Sequence, residues 1–434
     1  MTPAKSNQKF HPTSATEAEV LVIGGGLVGG VLALALAGQG IAVAVVDMER
    51  PGLSPAAKKD RRVSAIALSS QRLLLGIGAW GALAHQAQPI RHIRVAEAGT
   101  TDFLHYDASE VGAEPFGYMV ENGVLRHALG RRLARLDGIA LFAPARVATL
   151  ARGPFGVEAR LEDGRVIRAQ LAVAADGAGS KTRNDAGIGV AKAAYGQTAI
   201  VCTVRHQRPH RAIAHEIFHS SGPFAILPMQ GRAGESSCEG TPNGLTRANS
   251  PPFRSAIVWS ERSDSAPLFA ALDEEAFAQE LTRRAGDFLG SMRLDSPRQT
   301  YPLSVQFAHR MTAERLALVG DAAHALHPVA GQGLNMGLRD AAALAEVLGE
   351  AKGLGLDLGS RATIEGYGRW RRFDNGLMLA MTDGLVRLFS NDIAPLRTLR
   401  GFGLATVNRI PPLRKLFARH AMGVVGDLPR LMRG

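Results

Sequence analysis

Between Val20 and Val46 the chain carries no charged residue. That is long enough for a membrane-spanning helix, which needs about 20 apolar residues. The interior of the run argues otherwise. Seven glycines interrupt it, and it turns β-branched at both ends, as a strand–helix–strand unit does. It is not a signal peptide either: Glu17 and Glu19 stand where positive charge is wanted, and no small-residue cleavage site follows. The pattern predicts a buried strand over Val20 to Ile23, a tight turn, a helix of small residues over Leu27 to Gly38, and a second buried strand ending on Asp47.

Gly24, Gly26 and Gly29 form G-x-G-x-x-G. The first permits the turn, the second lets a pyrophosphate approach the backbone, and the third lets helix and strand pack closely. The helix N-terminus then points its free N–H groups at the phosphates. Asp47 follows Gly24 by 23 positions, where an acid accepts hydrogen bonds from a ribose 2′-hydroxyl. Strand, helix, second strand and terminal acid fall in the order the motif requires, so this stretch is predicted to hold a dinucleotide.

With 434 residues, two or three domains are expected. Cys202 and Cys238 have no ligand-like spacing, which fits a reducing, cytoplasmic setting without a disulfide framework or zinc site. The formal net charge is +11. From Arg387 onward nine Lys/Arg stand against Asp392 and Asp427, so +7 of it lies in the last 48 residues. That concentration favours an acidic partner or an anionic membrane surface over nucleic acid, and no nucleic-acid-binding motif accompanies it.

Residues 1 to about 17 are polar and aperiodic. Arg61 and Arg62 precede a partly helical run. Strands are expected over Ile90 to Val95 and Phe103 to Tyr106, and a helix from Glu121 to about Leu136. Short strands over 139 to 175 turn at Asp163-Gly164. The last of them stops on Asp176-Gly177. Alone such a stop is more often a plain turn; at a sheet's carboxyl edge it is placed to touch a ligand.

From about 195 to 305 alternating runs (Ala212 to Phe218, Phe224 to Pro228, Ser255 to Ser260) suggest an antiparallel sheet, interrupted by a Gly/Ser/Asn/Pro-rich insertion over 231–252. Asp273 caps an amphipathic helix with Phe277, Leu281 and Phe288 on one face. The first style then returns: the strand Arg315 to Val319 ends on Gly320-Asp321. A glycine turn at Gly331, Gln332, Gly333, Leu334 and Asn335 opens a long helix. Asp321 is suited to the hydroxyls of a sugar-like chain, and the amides around Gly331 to Leu334 to an anion. His324 and His327 lack a third metal ligand, so no metal is expected.

Together, Gly24 to Gly29, Asp176-Gly177, Gly320-Asp321-Ala-Ala-His324 and Gly331-Gln-Gly-Leu-Asn-Met-Gly337 resemble the FAD-binding, DG and GD motifs of single-component aromatic-ring flavin monooxygenases, which have the para-hydroxybenzoate-hydroxylase fold. More narrowly the chain resembles the ubiquinone-biosynthesis hydroxylases, the UbiH/UbiF/VisC group. That likeness rests on Arg62 to Arg72, Glu121-Asn122, Gly222 to Pro228, Tyr301-Pro-Leu, Gly320 to Asn335 and the tail from Ala421 to Gly434. Asp47 departs from the Glu of many relatives, and the 231–252 insertion and polar arm are further departures.

The resemblance implies an α/β fold with an α+β second domain: a Rossmann-type FAD-binding domain, a mixed antiparallel-sheet substrate domain and a C-terminal helical segment. It divides the chain into a 1–17 arm and a FAD-binding part over 18–190, with substrate-domain strands interleaved near 90–120. A substrate domain over 191–302, a second FAD-binding part over 303–360 and a basic helical region over 361–434 follow. FAD would rest its pyrophosphate on Gly24, Gly26 and Gly29, its adenosine ribose on Asp47 and its ribityl chain on Asp321. Arg62 and Arg126 match cofactor-contacting positions, and Asp176 would lie beside the nicotinamide approach. The helix opening near Gly331 would point its positive end at the flavin N1–C2 carbonyl edge.

The implied reaction is hydroxylation of a polyprenylated phenol in ubiquinone biosynthesis, with NAD(P)H as transient co-substrate and O2, through a flavin C4a-hydroperoxide. No residue is assigned to proton transfer; Tyr195, His219 and His327 are candidates. A membrane-borne substrate gives the basic tail two readings. One is a peripheral helix, or one docking into a biosynthetic complex, at the inner face of the membrane, with Leu413, Leu416, Phe417 and Ala421 on one face. The other is ordinary packing. The alternative functions are hydroxylation of a small soluble aromatic acid and a non-catalytic FAD-binding assembly role.

Overall fold

The computed structural model describes residues 15–50, 62–100, 103–231, 253–325, 332–389 and 410–434. The polar arm, nearly all of the 231–252 insertion, His327, Gly331 and residues 390–409 of the basic region lie outside them.

The charge-free run forms strand Val20–Ile23, helix Leu27–Ala37 and strand Val43–Val46, with both strands buried throughout. Continuous apolar strands of this kind need cover on both faces, and a parallel sheet supplies it. A six-stranded sheet runs in the order Thr312–Ala313, Leu316–Leu318, Leu171–Ala174, Val20–Ile23, Val43–Val46, Ile139–Phe142. All its pairings are parallel except the Thr312–Ala313 edge. One face packs on helix Leu27–Ala37 and the long helix Gln332–Gly353. The other packs against a four-stranded sheet formed by Thr16–Glu17 and the strands of 147–169, where Asp163-Gly164 makes the expected turn with Gly164 at φ +88°.

The two helices touch through very small residues. A Cβ on Gly337 would lie 2.7 Å from Val28 Cγ2 and 3.0 Å from the Gly320 Cα. Both helices therefore begin at the same edge of the sheet, beyond its carboxyl ends.

The second sheet has nine strands. From one edge its order is His324–Ala325, Gln299–Ala308, Val190–His206, Phe253–Arg262, Gly222–Met229, Ile213–His219, His92–Glu97 and Phe103–Asp107, with Met292–Leu294 pairing Val190–His206. Its 92–107 strands come from within the first part of the chain. Strand Gly117–Glu121 instead pairs with Val63–Ala67 and Gln88–Ile90 in a small linking sheet.

Strand Val190–His206 is longer than the sequence pattern suggests, because Gly196 at φ +66° sits in a bulge that breaks the alternation. Strand Gln299–Ala308 runs across the 302/303 boundary. Helix Glu274–Ala285 is capped by Asp273, which accepts the Ala276 N–H at 2.7 Å, but it stops at Gly286 (φ +85°), so Phe288 lies beyond its face.

One face of the nine-stranded sheet packs on helix Glu274–Ala285 through Phe224, Trp259 and Phe277. The other packs toward the cofactor-side domain through Ala214, Met229 and Ala256, which meet Met119 and the C-terminal Ala418 and Met422. Those last two belong to, or directly follow, helix Pro411–Ala421, which is therefore seated on the fold; Leu416 of the expected apolar face is 47% exposed instead. Among the described residues no helix is long and apolar enough to cross a membrane.

Candidate cofactor cleft and active site

The glycine turn is shaped by contacts that forbid a side chain. Gly24 has φ +104°, and a Cβ there would meet the Ala175 carbonyl at 2.4 Å; on Gly29 it would meet the Gly24 carbonyl at 1.9 Å. Gly26 is different: its would-be Cβ meets only the Arg126 guanidinium, at 3.9 Å. Arg126 thus stands over the turn, carried there by helix Asn122–Leu133. The residues that must touch protein do so, and the glycine facing the cleft is left open beside a cation, as a phosphate-bearing ligand requires.

Asp47 accepts the Gly25 N–H at 2.5 Å and the Glu49 N–H at 2.8 Å. Burial pushes its pKa up, against the pull of those two amides and of Arg126. Asp176 is likewise engaged: it accepts the Ser180 hydroxyl and, at 3.1 Å, the Thr182 N–H. Gly177 follows at φ +85° with open space where a Cβ would be.

At the second turn Gly320 adopts φ +58° and packs on Val28. Asp321, next to it, is exposed to the cleft, and no described residue hydrogen-bonds to it. The desolvation that raises its pKa is that of a recess, not of the interior, and His324 and Arg62 oppose it. Arg62 is itself exposed, and its carbonyl accepts the Asn122 N–H at 2.8 Å. Gln332, Gly333, Leu334 and Asn335 form the first turn of helix Gln332–Gly353, with nothing near a Gly333 Cβ. The Asn335 amide is used within the protein: it accepts the Ala67 N–H at 2.9 Å and donates to the Ala65 carbonyl at 2.8 Å, pinning strand Val63–Ala67 to the helix start. Val28, packed against both Gly320 and the Gly337 side of the long helix, joins the two turns into one cleft.

Behind this cleft is a buried knot that sequence reasoning missed. Asp340 is fully buried and accepts the Gly320 N–H at 3.0 Å, His324 Nε2–H at 2.6 Å and Arg371 Nε–H at 2.8 Å. Burial alone would raise its pKa, but His324 and Arg371 hold it below the usual carboxylate range. Arg371 also donates to Asp374 and Asn375, and the Tyr367 hydroxyl reaches the Leu318 carbonyl at 2.8 Å. The available signal was a lone acid in the apolar run of the long helix.

His219 does not join the cleft. Ile213, His215, Ile217 and His219 alternate onto the outer face of the nine-stranded sheet, and burial, with Arg284 and Arg283 beyond it, pushes the His219 pKa down to about 4. That face holds a cavity of about 1040 Å³ lined by Arg94, Arg208, Arg211, Arg283 and Arg284 among others, on the side away from the cofactor-side domain. Tyr195 lies half-buried at the Gly196 bulge. His92, His105 and Asp107 bring ligating atoms within 4.8 Å on this outer face, but Arg94 Nε–H donates to His105 Nδ1 at 3.3 Å, setting positive charge where a cation would sit.

The family model described as the FAD binding domain matches residues 17–357. The chain is 52% identical over 420 residues to the ubiquinone hydroxylase UbiL of Rhodospirillum rubrum, covering 96% of this chain and 93% of that one. It is 34% identical over 410 residues to the 3-demethoxyubiquinol 3-hydroxylase of Escherichia coli, covering 94% and 98%. Among solved structures, p-nitrophenol 4-monooxygenase PnpA from Pseudomonas putida superposes with a TM-score of 0.75 at 18% identity, covering 94% of this chain and 98% of that one, a likeness of fold.

Proposed function

Because this chain belongs to the FAD-binding family that includes the ubiquinone hydroxylases, we propose how its residues divide the work of an FAD-dependent monooxygenase of ubiquinone biosynthesis. The substrate is a polyprenylated phenol. Bound FAD supplies the redox chemistry, drawing two electrons from NAD(P)H so that one atom of O2 enters the ring and the other leaves as water.

The protein's share is binding, orientation and exclusion of water. Gly26 and Arg126 receive the pyrophosphate, Asp47 the adenosine ribose, and Asp321 the ribityl hydroxyls. The first turn of helix Gln332–Gly353 turns its amides and positive dipole toward the isoalloxazine. Asn335 and Asp340 position these groups from behind, the first by fixing strand Val63–Ala67 and the second by fixing the Gly320 turn. The observation that carries the reading is Asp321: a carboxylate beside a glycine turn, open to the cleft and without a described hydrogen-bond partner.

An arginine-lined cavity would favour a small aromatic acid as substrate. The arginine-rich cavity here is on the far face of the sheet, so it gives that alternative no support at the cleft. For the membrane-borne phenol, Lys415, Leu416 and Arg419 share the exposed face of helix Pro411–Ala421 and are the contact we assign to an anionic surface. Arg414 is excluded from it, being paired with Glu110 at 2.8 Å.

The test is the quinone-extract profile of cells lacking this gene, grown in air. Accumulation of a prenylated phenol short of one hydroxyl, cleared by restoring the gene, is the expected result. Unchanged ubiquinone with no accumulated phenol overturns the proposal.

A further inference from the structure

The geometry points to Glu216 as the group that accepts the proton of the substrate's ring hydroxyl, a role that rests on the function proposed above. On strand Ile213–His219 the odd-numbered side chains line the outer cavity, so Ala214, Glu216 and Phe218 face the opposite way. Ala214 marks what that way is: it packs with Met119, Met229, Ala256 and Met422 between the sheet and the cofactor-side domain.

Glu216 is the odd member of an apolar row. The register sets it opposite Ala225 on one neighbouring strand and Val95 on the other, and Ala225 in turn pairs with Val258. Among the described residues nothing hydrogen-bonds or ion-pairs with its carboxylate. The charged groups on the elements packed against this face are committed elsewhere. Arg254 is bound to Glu121 and Asp295, and Arg414 to Glu110. Tyr106 and His420 also belong to these elements, burial driving the first above and the second below its ordinary pKa, and Glu97, opposite Phe218 at the end of the row, is the other carboxylate on this face of the paired strands.

A half-buried carboxylate with no partner costs stability, and native folds rarely keep one without a use. Burial alone pushes the Glu216 pKa up to about 7. A base of that strength serves best near the operating pH. In the step itself the ring O–H bond breaks heterolytically. The proton moves to a Glu216 carboxylate oxygen and the electron pair stays on the ring oxygen, enriching the ring for attack on oxygen. Nothing is oxidised or reduced, and the proton returns to product or solvent as the site turns over.

The experiment uses the FAD-loaded enzyme and the prenylated phenol isolated from the deletion strain. In turnover with NAD(P)H and O2, kcat of the wild-type enzyme should fall on the acid side with a limb near pH 7. In Glu216→Gln that acid limb should be absent. In turnover, Glu216→Gln should lower kcat by about 10²–10⁴-fold with KM held within about threefold, and Glu216→Asp should recover part of the rate. FAD content serves as the folding control, and should Glu216→Gln lose FAD, the acid limb is read on Glu216→Asp. An unchanged acid limb with kcat within about twofold of wild type overturns the role of Glu216 alone. Absence of any accumulated phenol overturns the function, and the base falls with it.

Discussion

Asp340 and Asp321 stand 19 positions apart and flank the same glycine turn, yet they are opposites. The first is sealed in the interior with its acceptor sites taken by Gly320, His324 and Arg371. The second faces the cleft with no described partner. A saturated buried carboxylate holds the chain in shape, whereas an unsatisfied one is available to something not belonging to the chain. The same distinction sorts the other acids. Asp176 holds the start of its own short helix, Asp47 braces the first turn with acceptor sites to spare for a ribose, and Glu216 is left over.

The strongest way to break this contrast is Asp340→Ala. Removing one partner of a buried pair strands the other, and a loss of about 3–5 kcal/mol is expected, measured by urea denaturation of the FAD-free protein. Because the folded Asp340 pKa is depressed, its stabilisation is present above the unfolded value of 3.8 and lost as pH falls through the folded one. The gap between wild type and variant should therefore be full at pH 6 and shrink below about pH 4.

Next comes Gly29→Ala, whose methyl would collide with the Gly24 carbonyl. It should lower stability by about 1–3 kcal/mol and strip FAD from the purified protein, read as the ratio of flavin to protein absorbance.

Asp321→Asn sharpens the comparison. FAD affinity should fall about 10–100-fold in equilibrium dialysis, the worth of a charge-assisted hydrogen bond. The FAD-free protein should be no less stable. The folded Asp321 pKa is raised, so any stabilisation it gives exists below the unfolded value and is lost as pH rises, leaving nothing to lose at pH 7. A clear loss of stability in the FAD-free variant would put Asp321 with Asp340 after all.

The smallest effect concerns the surface. Leu416→Glu with Lys415→Glu should change stability by less than about 0.5 kcal/mol while reducing co-sedimentation with anionic vesicles. Unchanged sedimentation would leave helix Pro411–Ala421 as packing alone.

Much of this arrangement was legible in the sequence. The strand Val20–Ile23, the Asp163-Gly164 turn and the Asp273 cap follow from local chemistry, and the structure has them where the residues put them. What escaped depends on partners distant in sequence. Asp340 on a helix reads as a solvent charge until Arg371 and His324 are seen around it. Glu216 sits in a strand where both faces carry polar residues, so alternation alone could not say which face met the cofactor side. The same ambiguity made His219 a candidate although it points outward. Gly196 hid the first third of a long strand by bending it.

The sheet order also dictates a timetable. Strand Leu171–Ala174 is lined on one side by Val20–Ile23, but its other neighbour, Leu316–Leu318, comes 144 residues later, as Ala172 opposite Leu316 records. During synthesis an entirely apolar strand edge waits, unpaired, while the second-sheet strands from Val190 to Ala308 are made. The ribosome thus makes most of the second sheet before the first sheet can close around its central strand. A chain cut between Ala174 and Leu316 should present that edge to its neighbours and aggregate rather than yield a separable nucleotide-binding half.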